Sequence, residues 1–350
     1  MVAQTISETS GLLECWGKQG SVDGKPAGEF VAIAAGGYHS LALRADGSLA
    51  TWGSLLPYLS SMPAIGDRVV AVAAGLSHSM VLKRDGTVIA WGDNSQGQVA
   101  IPEGLQDVIA ISADGFHSLA LKRDGTVVAW GSNVFRESLV PQNLNGVVAI
   151  SAGDGHNLAL KSDGTVVAWG SNVFGQATVP PDLGKVLAIE AGCYHSLVLT
   201  SKGNVVAWGW NHDGQASVPD GLDQVVAISA GGFHNLAVKA DGAVVAWGRN
   251  LNHQCEIPAN GKKLRAIAAG AEHSVAISAI DPGILRIDRS SDFWLLNWPD
   301  TETDSVLEGA TSLLFQDWNT IPQSPERVGD RFQVPAPIYP HDQFFRLRKR

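Results

Sequence analysis

The chain has 350 residues, a formal net charge of −9, 45% hydrophobic and 17% charged residues, and 39 glycines. This is the balance of a folded, turn-rich protein with material for a large core, and it excludes a disordered chain. An acidic chain without a lysine and arginine stripe excludes a phosphate-neutralising grip on nucleic acid, and no apolar run approaches the roughly 18 residues of a membrane-spanning helix.

The opening MVAQTISETS has neither a basic nor an apolar run, so no signal peptide is visible. The expected compartment is therefore open: exported if a leader has been trimmed, cytoplasmic otherwise. From Leu12 onward one beat dominates. His39, His78, His117, His156, His195, His234 and His273 stand 39 residues apart. Trp16, Trp52, Trp91, Trp130, Trp169, Trp208 and Trp247, each followed by glycine, keep the same interval except for a first step of 36. The shortfall lies in residues 17–29, which reads as a loop.

Each unit, typified by residues 147–180, carries short apolar runs such as VVAIS, NLALK and TVVAW, whose lengths and β-branched content suit strands. Asp163-Gly164 between two of them signals a two-residue hairpin turn, repeated at Asp46, Asp85, Asp124 and Asp241. The Gly-Gln stretch ending in Val-Pro predicts a fourth, edge-like strand. Four short strands in about 40 residues is a propeller blade. We therefore expect an all-β fold over residues 11–280, a seven-bladed β-propeller. A Trp-Gly precedes the first histidine and none follows the last, so Leu12 to Trp16 is expected to become the third strand of the last blade, beside His273 to Ser278, closing the ring.

Asp281-Pro282-Gly283 marks a boundary. Residues 281–350 alternate strand-like runs (ILRIDR, FWLLNW, VLEGAT, LLFQDW, RFQVPAP, QFFRLR) and predict a small β-sandwich-like module with Trp294, Trp298 and Trp318 in its core. The basic run Arg346 to Arg350 reads as a solvated tail.

No catalytic, metal or cofactor site is expected. One histidine per blade spreads imidazoles round a ring without the close spacing that converges ligands on one ion, so each is expected to lock its own turn by bonding neighbouring backbone. His195 and Ser196 cannot pair as base and nucleophile, because successive strand residues face opposite ways. Cys15, Cys193 and Cys255 form no disulfide framework. In a repeat protein the non-periodic loops carry recognition. Before the histidines these loops hold Tyr38, Leu76, Phe116, Asp154, Tyr194, Phe233 and Glu272; after Trp-Gly they hold Val134 and Phe135, Val173 and Phe174, Trp210, and Leu251. Two readings of the aromatics stand side by side: anchors for a partner, or packing within their own blades.

The Ala-Gly-x-x-His-Ser strand followed by Trp-Gly, Asn and Gly-Gln resembles the regulator of chromosome condensation family, over residues 11 to about 280. The short period and the Gly-Gln-x-x-Val-Pro ending are most similar to its bacterial members that inhibit β-lactamase, the type II inhibitory proteins. That likeness implies that both loop sets lie on one face and contact a protein, with Tyr38, Leu76, Phe116, Phe135, Phe174, Tyr194, Trp210, Phe233 and Glu272 as contact positions. The family's UV-B photoreceptors place tryptophans between Ala-Gly and His, where this chain has Gly37, Leu76, Gly115, Asp154, Cys193, Gly232 and Ala271, so photoreception is excluded. Nor does the short period leave room for the wedges of the nucleotide-exchange members. The expectation is a monomeric, non-catalytic scaffold for a protein partner of unknown identity. The alternative is an exported or surface-associated module binding carbohydrate or cell-envelope components, in line with a closing Phe-Phe-Arg-Leu similar to C-terminal modules of exported bacterial proteins.

Overall fold

The computed structural model describes residues 4–5, 11–54, 62–66, 69–259, 263–279, 286–289, 293–299, 305–310, 319–320, 326–328, 331–337 and 344–349. It is all-β and propeller-like, built from a repeated three-stranded antiparallel sheet. In the sheet of His156 the strands are Val147–Ala152, His156–Lys161 and Val166–Gly170. His156 lies opposite Gly170 and Asn157 opposite Trp169. The same register recurs 39 residues away, with His117 opposite Gly131 and His195 opposite Gly209. A register shift between Val147 and Ala149 turns Val148 outward, where it is 54% exposed, which is why the apolar alternation of VVAIS is only partial.

Hydrophobic layers form between sheets rather than within them. Leu119 and Leu121 of the His117 sheet pack with Val147, Ile150 and Ala152 of the next sheet and with Trp169. Burying one such leucine stabilises the fold by about 1.5–3 kcal/mol. The series returns on itself: Val275 and Ile277 pack with Ile33 and Ala42. Gly11–Gly17 runs antiparallel to His273–Ala279, with Gly17 opposite His273 and Trp16 opposite Ser274, the register of every other hairpin. Trp16 also donates its indole N–H to the carbonyl of Gln254 (2.8 Å), as Trp208 does to Gln176 (2.9 Å).

Three local expectations need correction. The Gly-Gln stretch is not a fourth strand but a pair of turns. In it the buried Gln176 side chain accepts the N–H of Phe174 (2.9 Å) and its carbonyl takes protons from Trp208 and Ser196, so the segment's polar groups are spent on turns and on the next sheet, not on a ladder. The Asp-Gly hairpin is not a two-residue turn. Lys122 N–H bonds Thr126 O and Gly125 N–H bonds Lys122 O, and of Asp124-Gly125 only the glycine has positive φ (+80°). This is a three-residue loop ending in a left-handed glycine, with the Asp124 carboxylate accepting Thr126 N–H (3.0 Å). Finally, residues 17–29 contain a single helical turn, Gln19–Val22, and end in the short strand Glu29–Phe30.

The chain divides into two units, Met1–Ala279 and Ile280–Arg350. The second contains a sheet ordered Arg286–Arg289, Phe293–Pro299, Arg331–Pro337, Glu326–Val328 and another ordered Asn319–Thr320, Ser305–Ala310, Phe344–Lys349. Leu296 and Val334, opposite each other in the ladder, are both buried. The run LLFQDW, the side chains of Trp294 and Trp298, and Trp318 lie outside the described residues. No helix among the described residues is long and apolar enough to cross a membrane.

Candidate functional site

The histidines do not bond neighbouring backbone, as their uniform spacing suggests; they join sheets. Each Nε2 meets the residue 40 positions on, the one after the next histidine: His78 with Ser118 (3.0 Å), His117 with Asn157 (2.7 Å), His156 with Ser196 (3.0 Å), His195 with Asn235 (2.7 Å) and His234 with Ser274 (2.8 Å). His39 meets Ser79, and His273 meets Ser40, 233 residues back. Ser118, Ser196 and Ser274 give their own protons to the carbonyls of Gln98, Gln176 and Gln254, so they must accept from Nε2–H; the Asn157 and Asn235 carbonyl oxygens can only accept. That fixes the tautomer of these five histidines; Nδ1 of all seven ring histidines is buried with no partner among the described residues. Burial holds the imidazoles neutral, with pKa values of about 4 for His39 and about 3 for His156. No group of three or more ligating side chains among the described residues could hold a metal.

The corner before each histidine is tight. A Cβ on Gly153 would lie 2.3 Å from the Gly192 carbonyl of the next sheet, and one on Gly231 would lie 2.3 Å from that of Gly270. Backbone bonds run between these corners, for example Cys193 N–H to Gly232 O and Gly232 N–H to Gly270 O. The His117 sheet is the exception. Asp114 stands where the other corners place glycine, and its carboxylate takes the proton of Gly115 N–H (2.7 Å). Burial lifts the Asp114 pKa to about 6, and the neighbouring Asp154 carboxylate adds to the rise.

On the same edge, loops of successive sheets bring five of the nine candidate residues together. Phe135, Phe174, Tyr194, Trp210 and Phe233 line a pocket of about 480 Å³, with Asp154, Ser171, Val173 and Arg249 completing its wall. Phe174 sits edge-on between Trp210 (centroids 4.2 Å apart, 70°) and Tyr194 (5.5 Å, 61°), and Tyr194 continues to Phe233 at 5.9 Å. Phe174 is 39% and Phe135 49% exposed, so these rings are not interior packing of single sheets. The register explains the gathering: with His156 opposite Gly170, the turn before a histidine and the loop after Trp-Gly share one end of the sheet.

The other four candidates lie apart from the pocket. Tyr38 is exposed beneath the Lys18 ammonium, which also pairs with Glu272. Leu76 packs against the corner at Gly37, and Phe116 is exposed on its own loop. Sequence reasoning missed Arg249, which lies over the Phe233 ring (4.0 Å to the centroid) and pairs with Asp213 (2.9 Å). It also missed Asp114. Asp114 carried a signal, since every other equivalent position holds glycine; the position of Arg249 varies from repeat to repeat and carried none.

A family profile described as the regulator of chromosome condensation (RCC1) repeat matches residues 30–54, 69–98, 108–136, 147–176, 186–215 and 225–254. No curated protein matches the sequence. Among solved structures, Prp20p of Saccharomyces cerevisiae, described with its binding to Gsp1p and histones, is similar with a TM-score of 0.68 at 19% identity, over 79% of this chain and 94% of that one. Human WBSCR16 gives 0.61 at 18% identity, over 77% and 99%. The CRINKLY ectodomain of the Arabidopsis thaliana receptor kinase ACR4 gives 0.55 at 25% identity, over 68% and 88%.

Proposed function

Because the chain belongs to the regulator of chromosome condensation repeat family, we propose that it is a non-catalytic protein-binding scaffold, a seven-bladed ring closed by residues 11–17 that presents one face to a partner. One observation carries the reading: three consecutive sheets contribute Phe174, Tyr194, Trp210 and Phe233 to one partly exposed aromatic pocket. Clustered aromatics are the side chains that dominate protein interfaces, and a contiguous apolar patch is seldom kept on a monomer without a use. Prp20p, of similar fold, binds the proteins Gsp1p and histones, which supports a scaffold role for such a ring. The cycle of histidine bonds and the pairing of Gly11–Gly17 with His273–Ala279 support closure.

The test is quantitative capture from an extract of the source organism by the intact chain and by a Phe174→Ala, Trp210→Ala double variant of matched thermal stability. A protein retained by the first and lost by the second supports the reading. Equal retention by both, or binding of a glycan alone on an array, overturns it.

A further inference from the structure

The pocket's charges are unevenly matched. Its cation, Arg249, is engaged on two sides, by Asp213 (2.9 Å) and by the Phe233 ring on which it lies. Its carboxylate, Asp154, receives a hydrogen bond from the Tyr194 hydroxyl and forms no salt bridge among the described residues. A second carboxylate, Glu137, lies close enough to press on it. Glu137 is itself buried, accepts Ser132 Oγ–H (2.5 Å) and Phe135 N–H (2.6 Å), and forms no salt bridge among the described residues. The wall between is aromatic: Phe174, Tyr194 and Trp210 meet edge to face, so ring faces are turned in more than one direction.

We propose that this pocket receives a cationic side chain, an arginine or a lysine, projecting from the partner protein, with its charge against Asp154 and its stem among Phe174, Tyr194 and Trp210. This deepens the scaffold reading and rests on it for the protein source of the cation. The chemistry is that of an aromatic cage: ring faces carry negative potential, and a nearby carboxylate in a partly desolvated wall adds to it. A volume of about 480 Å³ is within the range of small-ligand pockets and holds such a side chain with its flanking backbone. The net charge of −9 favours approach of a basic segment over an acidic one.

Small probes separate this inference from the scaffold reading. The full chain is titrated by ligand-observed NMR with N-acetyl-arginine methylamide, with the citrulline analogue, which has the same shape without charge, and with N-acetyl-glutamate methylamide. The arginine probe is expected to bind at least about tenfold more tightly than either, and Asp154→Asn is expected to remove that preference. A Phe174→Leu variant, which keeps the pocket filled but removes a ring, is expected to weaken the arginine probe severalfold and serves if Asp154→Asn does not fold. Equal binding of citrulline, preference for glutamate, or no binding of the arginine probe overturns the inference, and pocket-dependent protein capture would then still leave the scaffold reading standing. Arginine-probe binding without any pocket-dependent protein overturns the protein source and reassigns the pocket to a free cation.

Discussion

His273 Nε2 lies 2.8 Å from Ser40 Oγ, joining residues 233 positions apart by the same bond that elsewhere spans 40. The link is a test of closure. Ser40→Ala and Ser79→Ala each leave a buried histidine Nε2 without its hydroxyl partner, a loss of about 1–3 kcal/mol. If the ends are joined as firmly as the middle, the two variants lose the same stability in chemical denaturation. A Ser40→Ala variant as stable as the parent, or an unchanged melting curve after deletion of residues 1–17, would count against the ring.

His156→Ala removes both the donor to Ser196 and a fully buried side chain. We expect about 1–3 kcal/mol of destabilisation with no change in metal content. Stoichiometric zinc in chelator-treated parent protein, by elemental analysis, would show the imidazole role to be wrong.

Acid should unfold the protein steeply. Folded pKa values of about 3 to 4, at His39, His78, His156, His195, His234 and His273, lie below the unfolded value of about 6.5. A depressed folded pKa means that the stabilisation is complete above 6.5 and is lost as pH falls toward the folded value. At pH 5 each such group has given up about 2 kcal/mol, and several together exceed the stability of an ordinary domain. Asp114 works in the opposite sense: its pKa, raised to about 6, makes stability fall as pH rises from about 4 to about 6. Burial also raises the Asp154 carboxyl, in the same sense as Asp114, but two carboxyls against this many imidazoles leave the acid loss dominant. Circular dichroism melts should therefore drop sharply between pH 7 and pH 5, and Asp114→Gly should raise the melting temperature at pH 7 to 8. A flat profile would contradict the neutral, buried assignment.

Positive φ is enforced differently at two kinds of turn. Gly170 has φ +97°, and a Cβ there would lie 2.5 Å from the Gly155 carbonyl, so Gly170→Ala should destabilise by several kcal/mol. Arg136 also has positive φ (+65°), but the equivalent Gly175 faces open space, so only the backbone conformation is unfavourable. Arg136→Gly should accordingly stabilise by about 1 kcal/mol. Urea denaturation of the two variants measures both, and equal signs would refute the distinction.

Much of the fold was legible because it is written in a period. The 39-residue spacing, the strand-length apolar runs and the Trp-Gly pairs predict repeated antiparallel sheets, and they form from these residues. The hairpin and the Gly-Gln segment were misread because Asp-Gly occurs in two- and three-residue loops alike, and because nothing local says that the Gln176 carbonyl is claimed by Trp208 and Ser196 of the following sheet.

By itself, then, the sequence determined the repeat, the strand content and the loops whose residues vary, since periodicity and turn chemistry are local properties of the chain. Tertiary structure alone decided what those residues meet. A histidine's partner lies 40 residues away, Trp16 reaches Gln254 across 238, and the candidates divide into Phe135, Phe174, Tyr194, Trp210 and Phe233 gathered at one pocket and Tyr38, Leu76, Phe116 and Glu272 apart from it. Such contacts depend on how one sheet stacks on the next, and spacing along the chain carries no record of that distance in space.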